Sequence, residues 1–123
     1  QIVRTLKYWN RRVQMPTIPS YLFDNIILNY FALQASIDTN LKLNLRNFWH
    51  HLQFGIYAPV LDPKGFDGDL NLLPLADKDK IATKALEAYQ KACDAITFEL
   101  NYDQKSAIEK WREIFGPEFP NYE

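Results

Sequence analysis

The sequence predicts an all-α domain of about five helices with one long ordered loop. Two observations carry this. Apolar residues recur at spacings of three and four in five separate stretches, and proline or glycine punctuates the gaps between them. No pair of alternating strand-like segments and no internal repeat accompanies them. At 123 residues the chain suits one compact domain spanning 1–123.

The first helix is expected over residues 1–14. Ile2, Leu6, Trp9 and Val13 form one apolar stripe, and Arg4, Lys7 and Arg11 share a separate basic face. Met15–Pro19 breaks it with two prolines. The second helix runs from Pro19 or Ser20 to Gln34; Ser20 can cap it, or Pro19 can occupy its first turn. Its near-continuous apolar content, from Leu22 to Leu33, predicts a central, buried helix. The third starts near Asp38 or Thr39 and ends near Gly55, with Leu41, Leu45, Phe48 and Leu52 as its stripe. Ala58–Ala76 is irregular and rich in proline and glycine, a length that suits a functional or covering loop. The fourth helix spans about Asp77–Leu100. Leu86, Tyr89, Cys93, Ile96 and Leu100 form its seam, with Ala85, Ala88, Ala92 and Ala95 alongside. Asp103 is the expected N-cap of the last helix. Ala107, Ile108, Trp111 and Phe115 are its apolar face, and Gly116 followed by Pro117 marks its stop.

Composition excludes several function classes. The formal net charge of −1 gives no basic surplus for coating nucleic acid. Cys93 is the only cysteine, so no intrachain disulfide framework or cysteine-rich zinc site can form. A reducing, cytoplasmic setting fits best. No apolar run approaches the ~20 residues that span a bilayer, and no signal-peptide pattern opens the chain. Its start on Gln1, directly in amphipathic helix, suggests a piece of a longer polypeptide; trimming would give the same start.

Four groups of residues could carry chemistry. Lys7 is a point charge suited to phosphate oxygens, flanked by Arg4 and Arg11. Ser20 offers a hydroxyl at a helix start, where backbone N–H groups favour anions, and the ring of Tyr21 can stack on a base. Together they make a candidate nucleotide-triphosphate cradle. Solvated bases, a cap and a core tyrosine are the plainer alternative. His50 and His51 are adjacent on a helix and point about 100° apart, so one packed and one exposed histidine is expected, not a metal pair. Asp62, Asp67 and Asp69 lack the spacing of a calcium loop and read as turn formers. Cys93 reads as an inert core residue. No catalytic set and no metal-ligand set is visible in the chain.

A resemblance extends this reading. Ile2–Trp9 (IVRTLKYW) resembles the helix that opens the C-terminal lobe of the cGAS/DncV-like nucleotidyltransferases (CD-NTases of the SMODS type), with a distant similarity to oligoadenylate synthetases. Pro19-Ser20-Tyr21-Leu22 followed by an apolar helix, Val60–Asn71 (VLDPKGFDGDLN) and Lys110–Pro120 (KWREIFGPEFP) resemble later segments of that family in the same order. The resemblance implies the helical lobe of a two-lobed, Mg2+-dependent enzyme. Such an enzyme joins nucleoside triphosphates into cyclic or linear oligonucleotide second messengers in bacterial anti-phage defence. It implies donor-triphosphate contacts for Lys7 and Ser20 and base stacking for Tyr21. Arg4 and Arg11 would give electrostatic support, and the Asp62-Pro63 loop would pack on the other lobe. The glycine-serine and paired-acid motifs that bind Mg2+ are absent, so these residues would not catalyse alone. The expected partners are the N-terminal catalytic lobe, nucleoside triphosphates and an effector or regulatory protein. A zinc-binding insertion is also absent, so activation by DNA is not implied. The competing expectations are a helical nucleotide-sensing or protein-interaction module without catalysis, and a degenerate nucleotidyltransferase that binds without turnover.

Overall fold

The structure is a computed structural model that describes residues 2–34, 36, 39–66 and 68–118. Its five helices are α1 (Ile2–Arg12), α2 (Ser20–Ala32), α3 (Leu41–Gly55), α4 (Leu75–Leu100) and α5 (Gln104–Phe115). The fold class is all-α. Among the described residues β pairing is confined to one isolated antiparallel bridge between Leu61 and Asp69. Among the described residues no helix is long and apolar enough to cross a membrane.

α4 is the spine: its 26 residues extend about 39 Å and pack most extensively on α3 and α5. α1 lies across the other side, touching α2, α3 and α5. One core joins all five helices. Trp9, Trp49 and Trp111 are each at most 1% exposed. Their rings form a chain: Trp9 to Trp49 at 5.6 Å, Trp49 to Phe115 at 5.8 Å, and Phe115 to Trp111 at 6.3 Å. A second aromatic group, Phe23, Tyr30 and Phe31 around Phe48, fastens α2 to α3.

Several expectations need correction. The buried stripe of α4 is Ile81, Ala85, Ala88, Ala92 and Ala95, not the larger seam beside it; Leu86 is 37% and Leu100 75% exposed. Both stripes share the same three-four spacing, and the small one allows α3 and α5 to approach closely. α2 is not buried all round, because Leu28 and Leu33 face solvent. Ser20 is the first helical residue and not the cap; Pro19 holds the cap position, extended at φ −54° and ψ 139°, with no side-chain acceptor. α3 is capped by Asn40, whose Oδ1 accepts from the N–H groups of Lys42 and Leu43. Asp38, one of the expected starts, lies outside the described residues, as do Gln1, Asp67 and residues 119–123.

The last helix begins and ends as expected. The Asp103 carboxylate accepts from the Ser106 N–H at 3.1 Å, and Gly116 ends α5 at φ 100°. The irregular stretch expected over 58–76 ends at Pro74, because α4 already begins at Leu75, and it is a cover folded on itself. The Leu70 N–H donates to Val60 O and the Asp62 N–H to Gly68 O, each at 2.7 Å. Asn71, 6% exposed, donates to Ile56 O at 2.7 Å and Ala58 O at 2.9 Å, clamping the loop to the end of α3.

Candidate functional site

The start of α2 is fixed against α1 by a buried asparagine. Asn10 reaches across the spacer between α1 and α2. Its Nδ2 donates to Ile18 O and its Oδ1 accepts from the Ile18 N–H, both at 2.9 Å. Asn10 is 5% and Ile18 1% exposed. A side-chain amide pairing both backbone groups of one residue fixes that residue's position and orientation. Pro19 and the first turn of α2 are therefore registered against α1.

Lys7 lies one turn before Arg11 on the same α1 face. Its ammonium sits 2.7 Å from the Asp24 carboxylate, both side chains about one-third exposed. Asp24 is four residues after Ser20, so the two share a face of α2. Through Asp24 the Lys7 ammonium is held against α2, the helix that Ser20 opens. Ser20, Arg4 and Arg11 are exposed.

Tyr21 is 45% exposed, and its hydroxyl donates to Asp62 Oδ1 at 3.1 Å. Asp62 is itself buried and accepts from the N–H groups of Lys64 (3.0 Å) and Phe66 (3.2 Å). The carboxylate therefore shapes the turn and anchors the tip of the Tyr21 ring, leaving part of the ring open. Asn25 adds a hydrogen bond to Tyr21 O at 2.8 Å. Sequence reasoning missed Asn10, Asp24 and the Tyr21–Asp62 link. For Asp24 a signal existed: it sits at i+4 from Ser20, where a lysine on the neighbouring helix would find it.

The other candidates fall into structural roles. Asp69 accepts from the N–H groups of Val60 and Asn71, each at 2.8 Å, and these bonds hold its carboxyl below the usual carboxylate range. His51 is half-buried against Tyr30, with ring centroids 4.8 Å apart. Burial, and then the neighbouring His50, push its pKa down. His50 is exposed. The described residues hold no group of three His, Cys, Asp or Glu side chains able to bind a metal ion. Cys93 is half-buried at the rim of the alanine stripe.

No protein-family model matches the chain. It is similar to a probable cyclic nucleotide synthase of Bacillus cereus (strain VD146), 40% identical over 122 residues. That alignment covers 99% of this chain and 36% of the relative, so the chain spans about a third of the relative's length. The chain is therefore related to part of a protein named for cyclic nucleotide synthesis.

Proposed function

We propose that this chain is the helical lobe of a CD-NTase-type nucleotidyltransferase that makes cyclic or linear oligonucleotide messengers in bacterial defence, and that it holds the donor nucleoside triphosphate. The observation that supports the reading is the ion pair of the Lys7 ammonium with Asp24, one turn along α2 from Ser20, on a helix whose start Asn10 registers against α1. The relative's name supports the chemistry.

In this reading Lys7 neutralises triphosphate charge, and the Ser20 hydroxyl and the first N–H groups of α2 complete the cradle. The Tyr21 ring, steadied by Asp62, stacks on a base. Arg4 and Arg11 raise the local positive potential. Mg2+, when bound, polarises the reacting phosphate. With no metal-binding cluster among the described residues, the acids that hold it would belong to a catalytic lobe beyond this sequence.

The test is Lys7→Ala in the longer protein that carries this chain. ATP affinity and Mg2+-dependent product yield should both fall, affinity by about tenfold, as for loss of one charge-assisted contact. The fold should survive, because a partly exposed ion pair contributes about 1 kcal/mol at most. Unchanged affinity and yield would remove Lys7 from the donor site.

One observation favours a second reading. Leu61, Phe66, Leu72 and Leu75 on the loop and the start of α4 are each at least 67% exposed, which suits docking on another protein. A non-catalytic sensing or interaction module would use this face for a partner; in the first reading it meets the catalytic lobe. Product formation by the longer protein separates the two. ATP binding without turnover would instead identify a degenerate enzyme.

A further inference from the structure

A hollow lies between the end of α2, α3 and the middle of α4. Its volume is about 550 Å³, within the range of small-ligand sites. Five rings line it: Tyr30, His50, His51, Phe54 and Tyr89. Arg46 lies at one end, and no carboxylate contributes to the lining. That bias is notable in a chain with 15 acidic and 14 basic residues.

The arrangement follows from helical register. Arg46, His50 and Phe54 are spaced by four, so they form one row along α3 about 12 Å long. Asn47 and His51 form the adjacent row. The Asn47 Oδ1 accepts from Arg46 Nε (3.1 Å) and Nη2 (3.0 Å). The guanidinium is thereby oriented by a neutral amide, and its other N–H donors are left for a ligand. His50 lies 4.9 Å from the Tyr89 ring and 5.8 Å from Phe54. Phe54 is 65% exposed, an unusual position for a large ring without a partner to cover it. Gly55 makes the floor possible: a Cβ there would meet the His51 ring at 2.5 Å.

We propose that this hollow is a nucleotide site, taking a nucleobase against the His50 and Phe54 rings and a phosphate on Arg46. It is separate from the cradle at the start of α2. Tyr21 and Tyr30 are nine residues apart, about 14 Å along α2. The proposal does not rest on Lys7.

The test is titration of the chain with AMP, followed by the ring-proton resonances of the histidines. The chain has two histidines, and both line this hollow, so the signals report it directly. Both should shift saturably, with half-saturation below about 1 mM. Arg46→Ala and Phe54→Ala should each weaken binding about fivefold or more. Both positions are at least partly exposed, and far-UV circular dichroism should show unchanged helix content. In Lys7→Ala the histidine shifts, which report this hollow alone, should persist even where nucleotide binding at the start of α2 is weakened. Absence of saturable shifts at about 5 mM AMP would overturn the proposal, as would equal binding by both variants. Equal binding of adenosine would exclude the phosphate contact, and equal effects of inorganic phosphate would exclude the base contact; either result refutes a nucleotide site. Shifts lost in Lys7→Ala but kept in Arg46→Ala would assign the signal to the start of α2 and likewise refute it.

Discussion

Replacing Asn10 by alanine removes both hydrogen bonds that tie the spacer to α1. Each is a 2.9 Å bond between buried groups. A typical intramolecular hydrogen bond contributes about 1 kcal/mol net, and a buried group left without a partner costs about 1–3 kcal/mol. Ile18 is 1% exposed, so water reaches its N–H and C=O only if the spacer moves. The expected loss is therefore about 2–4 kcal/mol, a large share of a domain's usual stability. For 123 residues the unfolding entropy is about 0.26 kcal/mol/K, which puts the fall in Tm at about 8–15 °C. Urea unfolding of the Asn10→Ala chain gives the free energy, and amide exchange gives the location. The Ile18 N–H should lose protection well before the amides of α4. A loss under about 1 kcal/mol with an unchanged m-value would refute the reasoning. The register of α2 on α1 would then come from core packing and the Lys7–Asp24 pair.

Two further outcomes follow from the same structure. Gly116 sits at φ 100° and ψ 169°, backbone that is essentially reserved for glycine, and an added Cβ would collide with the Arg12 guanidinium. Gly116→Ala should therefore cost about 2–3 kcal/mol in urea unfolding, chiefly for its backbone because the Arg12 side chain can swing aside, against about 1 kcal/mol for Gly65→Ala, where φ is 75° and the space is open; equal costs would refute the backbone argument. His51 has its pKa lowered by burial, and further by His50, so the folded state resists the proton that the unfolded chain accepts. Its contribution is full above the unfolded value of about 6.5 and is lost as pH falls below it toward the folded value. Urea midpoints should drop from pH 7.5 to 5.5, and His51→Phe should flatten that drop; an identical drop in the variant would assign the effect elsewhere.

What could be read from the sequence was local. Asp103 and Gly116 bracket α5 because a cap and a stop act within a few residues of themselves. The start of α3 was harder, since Asp38, Thr39 and Asn40 are all competent caps and only the path of the chain selects Asn40. The α4 stripe was ambiguous for a different reason. Two stripes with the same period lie side by side, and hydrophobicity favours the one with Leu86 and Leu100. Close packing against two helices at once favours alanine, and nothing in the period reveals that α4 has two neighbours. α2 misled in the same way: composition reports how much apolar surface a helix carries, not how much of it the fold covers.

The candidate site divides along the same line. Lys7, Ser20 and Tyr21 were legible as residue types, but their partners lie across the fold. Asp24 is the partner that changes the physics, because it places a negative charge where the proposed ligand is negative. A partly exposed pair such as Lys7–Asp24 is held by about 1 kcal/mol or less. A triphosphate offers Lys7 several charges in place of one, and charge-assisted contacts to phosphate are roughly twice as strong as neutral ones. The ammonium can therefore leave Asp24 at small expense in free energy. If the proposed donor site is correct, Asp24 holds Lys7 against α2 until a triphosphate binds, and the ion pair then belongs to the proposed binding step as well as to the fold.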